Sequence, residues 1–208
     1  VSEPGVVGVR RVGDRALLAE VGSAEEAAAL AAFLRASGLV ADDVVPAARS
    51  VLVDGVDGSD GVDMAAAERL VASWPGGRSV AAARTVVIPV TYDGPDLELV
   101  ASRWGVSVSE VVARHTSLTF TSAFCGFAPG FAYLAGLPRE WQVPRLADPR
   151  PRVPAGSLAI AGEWCGVYPT ASPGGWLLLG CTAVSLWDPA AAEPALLAPG
   201  TRVRFAGL

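Results

Sequence analysis

The sequence predicts a small α+β part over residues 1–84 and a mainly β, barrel-like part over residues 85–208. Helix-capping signals punctuate β-rich runs in the first part, whereas from Ser117 to Phe205 short apolar runs (LTFTSAF, SLAIAG, GWLLLG, VSLWD, RVRF) alternate with Pro/Gly turns. Charge divides the same way: residues 1–84 carry 8 basic and 12 acidic side chains, and residues 85–208 carry 8 and 9.

Taken in order, residues 6–21 read as two strands around the Gly13-Asp14 turn dipeptide. Ser23 and Glu26 hold the S-x-x-E spacing of a capping box, and the helix they open runs to Gly38 with Ala27, Leu30, Ala31 and Leu34 on its apolar stripe. Extended pieces follow at Val44-Val45 and Ser50 to Val53, then a Gly/Asp turn cluster from Gly55 to Gly61 and a second helix, Met64 to Trp74, stopped by Pro75-Gly76-Gly77. Arg84 to Val90 completes a ββαββαβ order that suits a small, ferredoxin-like antiparallel sheet with two helices on one face. That last strand fits either side of a boundary placed between residues 76 and 86. Beyond it Pro95 opens a helix that Gly105 stops, and Ser107 with Glu110 makes a second capping box for a helix ending near His115.

Composition removes several chemistries. The chain has 208 residues and net charge −5; every basic residue is Arg, Asn is absent, and His115 is the sole histidine. Schiff-base, P-loop and biotinyl lysines are excluded, as is a zinc site built on several histidines. Cys125, Cys165 and Cys181 show no C-x-x-C spacing, so no intrinsic metal is expected, and any metal would arrive with a substrate or nucleotide. The odd cysteine count and the lack of a charged n-region and apolar h-region ahead of Gly5 predict free thiols in a cytoplasmic setting. Apolar residues are dispersed without a run of about 18, and no like-charge run invites nucleic acid.

Three segments combine special backbone geometry with polar groups. In Gly126 to Pro138, Gly126 and Gly130 permit close backbone approach, so amides and the rings of Phe127, Phe131 and Tyr133 can face a pocket; a tight barrel corner with aromatic plugs is the plain alternative. In Pro149 to Pro169, Arg150 and Arg152 alternate with prolines on a stiff extended piece where a guanidinium fork can clamp an anion. Gly156-Ser157 offers amides and a hydroxyl, and Glu163 is a carboxylate for acid/base work if its surroundings are apolar, or a hairpin-end surface charge if they are not. Ser172-Pro173-Gly174-Gly175 is a turn ahead of Trp176, able to approach a ligand or simply to connect strands. Any Ser/His or Cys/His pair must use His115, which otherwise is a helix-terminal histidine meeting the last carbonyls.

These segments are the ones on which the chain resembles the KipI-like family, also called allophanate hydrolase subunit 1 and largely identified with PxpB, the B subunit of 5-oxoprolinase. The resemblance spans nearly the whole chain. It rests on His115-Thr116-Ser117, Gly126 to Leu134 (GFAPGFAYL), Pro151 to Ser157 (PRVPAGS), and Gly166-Val167-Tyr168-Pro169 leading to Ser172-Pro173-Gly174-Gly175-Trp176, with Ala198 to Phe205 as the family's usual ending. Departures are Trp164-Cys165 for an expected Gln-Thr, Gly180-Cys181-Thr182 for Gly-Arg-Thr, and Ala132 and Ala135 for the usual Pro and Gly.

The resemblance implies a small α+β domain followed by a cyclophilin-like β-barrel, acting in a heteromer with a KipA-like subunit and a LamB/YcsF-type subunit. Such an assembly opens 5-oxoproline to glutamate using ATP with Mg, which a partner subunit could bind, and this chain is expected to be inactive alone. Related readings are an allophanate hydrolase subunit acting on a urea-derived amide, and a KipI-type inhibitor that binds a sensor histidine kinase. On the 5-oxoprolinase reading, Arg152 binds a carboxylate or phosphate, the Gly126 to Gly130 and Gly156-Ser157 amides hold an oxyanion, and His115 and Glu163 transfer protons. Phe131, Tyr133, Tyr168, Ser172 and Trp176 complete the binding surface.

Overall fold

Gly13, at φ 63°, reverses the chain between β1 (Val6–Val12) and β2 (Ala16–Val21), which pair antiparallel as the Gly-Asp dipeptide predicts. This and all later geometry comes from a computed structural model that describes residues 5–56, 64–77 and 84–208. The chain divides into two compact units, Val1–Val80 and Ala81–Leu208. Most of the expected 55–61 turn cluster, and most of the segment in which the boundary was expected, lie outside the described residues.

In the first unit, α1 (Ala24–Ala36) starts at Ser23, whose side chain accepts from the Glu26 amide, while the Glu26 carboxylate reaches back to the Gly22 amide at 2.9 Å. Ala27, Leu30, Ala31 and Leu34, the expected stripe, are all fully buried. β3 (Asp43–Pro46) and β4 (Ser50–Asp54) complete an antiparallel sheet of order β1-β2-β4-β3. β4 is inserted between β2 and β3, the two strands that α1 connects. Leu17, Ala19, Val51 and Val53 meet α1 and α2 (Met64–Ala72) in one core. No fifth strand joins this sheet among the described residues.

The strand at Arg84 to Val90 belongs instead to the second unit, as β5 (Thr85–Val90). It runs parallel to the last strand, β13 (Arg202–Gly207), along the whole of its length. Ile88 and Val90 point into the core while Val87 and Pro89 point out, and Pro is tolerated there because β5 is an outer strand. The sheet order is β12-β9-β10-β7-β6-β13-β5, where β6 is Phe120–Cys125, β7 Ala132–Ala135, β9 Ser157–Ala161, β10 Trp164–Val167 and β12 Leu177–Cys181. Thr91 and Cys181 exchange two backbone hydrogen bonds of 2.9 Å, joining the chain just past β5 to β12 and nearly closing the barrel. The expected strand VSLWD does not form. Only Trp187 makes a single bridge, to Ala195, because this stretch lies in a turn-rich connection and not beside a free sheet edge.

α3 (Leu97–Trp104) ends at Gly105 in the left-handed region, and α4 (Val108–Ser117) begins at Ser107, whose hydroxyl accepts from the Glu110 amide. Val100, Ala101 and Val111 seat both helices on the core formed by Phe120, Leu134, Leu158, Ile160, Leu177 and Phe205. A two-stranded sheet of β8 (Arg150–Val153) and β11 (Ser172–Gly174) lies apart from the barrel ladder. Beside it Phe131, Val153, Tyr168, Trp176 and Leu178 form a second, largely aromatic cluster.

Candidate functional site

A cavity of about 220 Å³ opens on this aromatic cluster, walled by Phe127, Phe131, Tyr133, Tyr168 and Trp176, with Arg145 at one side and Pro149 and Pro173-Gly174-Gly175 at another. β7 supplies Tyr133, the residue after β10 supplies Tyr168, and the residue before β12 supplies Trp176, so three motifs separated in sequence converge here. The rings meet edge to face: Phe131 lies 5.5 Å from both Tyr168 and Trp176 and 5.1 Å from Tyr133, close to the favoured aromatic arrangement. The Arg145 guanidinium stands 5.9 Å over the Trp176 ring and makes no ion pair with any described residue. An unpaired cation over an aromatic wall is suited to a planar anion.

Phe127 marks the mouth. It has φ 71°, the one non-glycine residue with positive φ among those described, and the Ala128 amide donates to the Gly126 carbonyl across it at 2.9 Å, forming a strained γ-turn. Its side chain is exposed yet edge-on to Phe131 at 5.3 Å and to Tyr168 at 6.1 Å. Gly130, at φ 84°, closes the loop where a Cβ would stand 2.9 Å from the Trp187 Cβ, so no other residue fits without a shift.

Tyr168, one of the lining residues, is almost wholly buried. Burial raises its pKa, while the Arg145 and Arg150 charges and a hydrogen bond with the Trp176 backbone pull the other way. Arg150 itself is engaged: its Nη2 donates to Asp96 Oδ1 at 2.7 Å, and Asp96 Oδ2 accepts from the Leu178 amide at 2.7 Å. This buried carboxylate ties α3 to β8 and to the strand that follows Trp176.

The structure separates the remaining expected residues from this cavity. His115 is wholly buried in the barrel core, with Nδ1 2.8 Å from the Tyr92 hydroxyl, Nε2 3.5 Å from Cys165 Sγ, and its ring against Phe120 and Phe205. Burial lowers its pKa to about 3 and raises the Tyr92 phenol and the Cys165 thiol, so all three are neutral. Neither a proton-transfer role at a solvent-reachable substrate nor a contact with the last helical carbonyls describes it. Arg152 is exposed on β8 and does not line the cavity, whereas Arg145 does. The Gly126 amide donates to Phe131 O at 3.2 Å, Ala128 N to Gly126 O at 2.9 Å, Gly156 N to Tyr168 O at 2.7 Å, and Ser157 N to Pro154 O at 3.4 Å, so these four amides are engaged within the fold. Ser172 pairs with Val153, and its buried hydroxyl has no hydrogen-bond partner among the described residues. Glu163 sits exposed at the β9–β10 turn, without the apolar surroundings acid/base work would need. Arg145 was legible in principle, since Pro144-Arg145 repeats the Pro-Arg pattern of Pro149-Arg150 and Pro151-Arg152.

The departures fall into three environments. Cys165 supplies the contact to His115, Trp164 stacks edge-on to Phe124 and Tyr133, and Cys181 stands exposed at the barrel seam, away from the cavity. All three cysteines are free thiols. Among the described residues no three His, Cys, Asp or Glu side chains converge, and none of the described helices is long and apolar enough to cross a membrane. The lining of this cavity offers one guanidinium and no carboxylate for a magnesium nucleotide.

Comparison with known proteins agrees with the motif resemblance. The chain is 49% identical over 144 residues to the 5-oxoprolinase B subunit of Escherichia coli O157:H7, a match that takes in 67% of this chain and 66% of the relative. The chain thus spans a little under two thirds of that relative's length. Among solved structures, TTHA0988 superposes with a TM-score of 0.79 at 38% identity, over 93% of this chain and 40% of that one. The K. lactis urea amidolyase superposes at 0.78 with 19% identity, over 96% of this chain and 15% of that one, a likeness of fold. The model of the carboxyltransferase domain, subdomain C and D, matches residues 7–197, and the chain belongs to that family together with the relatives named as the B subunit of 5-oxoprolinase.

Proposed function

We propose that this chain is a subunit of an ATP-dependent 5-oxoprolinase, hydrolysing 5-oxo-L-proline to L-glutamate with KipA-like and LamB/YcsF-like subunits and inactive without them. The observation that carries the reading is the unpaired Arg145 over Trp176 in a small aromatic cavity, in a chain whose relatives are named as the B subunit of 5-oxoprolinase. A five-membered lactam is flat and compact enough for such walls, and its α-carboxylate matches the planar guanidinium fork. Phe127, Phe131, Tyr133 and Trp176 would exclude water around the ring, and Tyr168 would donate its hydroxyl to a lactam or carboxylate oxygen. ATP with Mg is assigned to a partner subunit, since the lining of the aromatic cavity offers one guanidinium and no carboxylate to hold it. A ferredoxin-like first domain, a cyclophilin-like second domain divided near residue 84, and a cytoplasmic location belong to the same reading.

Glutamate release from 5-oxoproline tests it, using this chain alone and co-purified with both partner subunits, with and without ATP and Mg²⁺. Activity confined to the complete, ATP-supplied mixture is expected. An intact three-subunit complex that releases no glutamate would overturn it.

A further inference from the structure

Beside the aromatic cavity lies a second, more open and more polar cleft of about 500 Å³, lined by Gln142, Pro144, Arg145, Ala161, Gly162, Glu163 and Trp164. Arg145 is the residue common to both spaces. Arg145 and Glu163 carry opposite charges on the walls of one cleft, yet no ion pair closes between them, and neither has a charged partner among the described residues. Opposite charges that line one cleft without pairing match a ligand that carries both signs itself. Gln142 adds an amide that can donate and accept, and Trp164, fixed edge-on to Phe124 at 5.3 Å and to Tyr133 at 5.9 Å, adds a rigid apolar side.

We propose that this cleft binds a zwitterionic α-amino acid, with the α-carboxylate on Arg145 and the α-ammonium on Glu163. The identity of the amino acid rests on the 5-oxoprolinase reading, which supplies glutamate. In that reaction water's oxygen forms the new carboxylate, the lactam C–N bond breaks, and the nitrogen, a neutral N–H donor in the substrate, takes up protons and becomes an ammonium. The carboxylate on Arg145 is unchanged by the reaction, so the new ammonium turns toward Glu163 while the ring vacates the aromatic side. The cleft therefore separates product from substrate by charge, and Glu163 acts as a product-binding residue and not as an acid or base.

The test is an NMR titration of the full 208-residue chain, reading the indole N–H signals of Trp164 and Trp176, each assigned by its Trp→Phe variant. Glutamate should shift Trp164 saturably. N-acetylglutamate, which lacks the ammonium, should bind about ten- to a hundredfold more weakly, the worth of one charge-assisted hydrogen bond. Glu163→Gln should reduce glutamate affinity to the N-acetylglutamate level. Equal affinity for the two ligands, an unmoved Trp164 signal, or a Glu163→Gln protein that binds glutamate as before would overturn the proposal. 5-Oxoproline separates the two readings: if it fails to shift Trp176 while glutamate shifts Trp164, the cleft assignment stands and the substrate reading falls.

Discussion

His115 ties the stability of the barrel to pH. Its folded pKa of about 3 lies below the ordinary value near 6.5 because the ring is wholly buried. Between those values the unfolded chain binds the proton and the folded chain does not. Stability from this group is therefore complete above about pH 6.5 and is lost as pH falls, by about 2 kcal/mol at pH 5 and roughly 4 to 5 kcal/mol near pH 3. In His115→Gln the protein should be less stable at pH 7, through lost contacts to Tyr92 and Cys165, but its urea midpoint should change far less between pH 7 and 5. Arg145 has the opposite character, exposed at the cavity wall and over the Trp176 ring. Arg145→Met should leave the urea midpoint within about 0.5 kcal/mol and, on the proposed 5-oxoprolinase reading, weaken 5-oxoproline binding in the assembled enzyme by about 1.5 to 3 kcal/mol, read as a rise in KM. The contrast shows what was legible at this scale. Motif spacing identified Phe131, Tyr133, Tyr168 and Trp176 as pocket residues, because glycine- and proline-rich turns hold them wherever the barrel closes. It could not choose the cation, since four Pro-Arg dipeptides, at Pro138, Pro144, Pro149 and Pro151, look alike until the structure shows Asp96 engaging Arg150, Arg152 exposed on β8 and Arg145 lining the cavity.

At the scale of elements, the pocket floor depends on a buried strap. Asp96, 5% exposed, receives Arg150 from β8 and the Leu178 amide from β12, and the Arg150 Nη1 is 3.5 Å from the Trp176 carbonyl. Removing the carboxylate leaves a guanidinium and an amide unpaired together, so Asp96→Ala should cost roughly 3 to 5 kcal/mol in urea denaturation. Asp96→Asn, which keeps an oxygen for the Leu178 amide, should cost less. The γ-turn at Phe127 makes a second prediction of opposite sign. Phe127→Gly removes the positive-φ strain, worth about 1 to 3 kcal/mol, against a glycine entropy cost of about 0.5 to 1 kcal/mol, and the ring is 61% exposed. Thermal stability should hold or rise while, on the proposed 5-oxoprolinase reading, 5-oxoproline binding weakens, because one wall of the cavity is gone. Helices were the most legible elements, each capping box in the sequence becoming a formed cap at Ser23 and Ser107. The strands of the barrel were less so, because a short apolar run becomes a strand only if an edge awaits it: β5 found β13, and VSLWD found a single bridge.

At the scale of the molecule, every residue that lines the aromatic cavity or the polar cleft lies in the second unit, and that unit has its own core of barrel and helices. A fragment of residues 84–208 should therefore fold by itself, melt cooperatively, and keep an intact Trp176 site. The start point decides the outcome. β5 contributes Ile88 and Val90, both fully buried, and gives β13 a full-length parallel partner. The two-bond bridge between Thr91 and Cys181 then holds the seam at its end. A fragment of residues 92–208 loses all three: about 1.5 to 3 kcal/mol of burial for each aliphatic side chain, the β13 ladder, and the closure. It also leaves β13 as an open edge, which favours association between chains. Circular dichroism melts and size-exclusion chromatography of the two fragments check this directly. A cooperative, monomeric 92–208 fragment would show that β5 is not an integral barrel strand, and an unfolded 84–208 fragment would show that the second unit depends on the first.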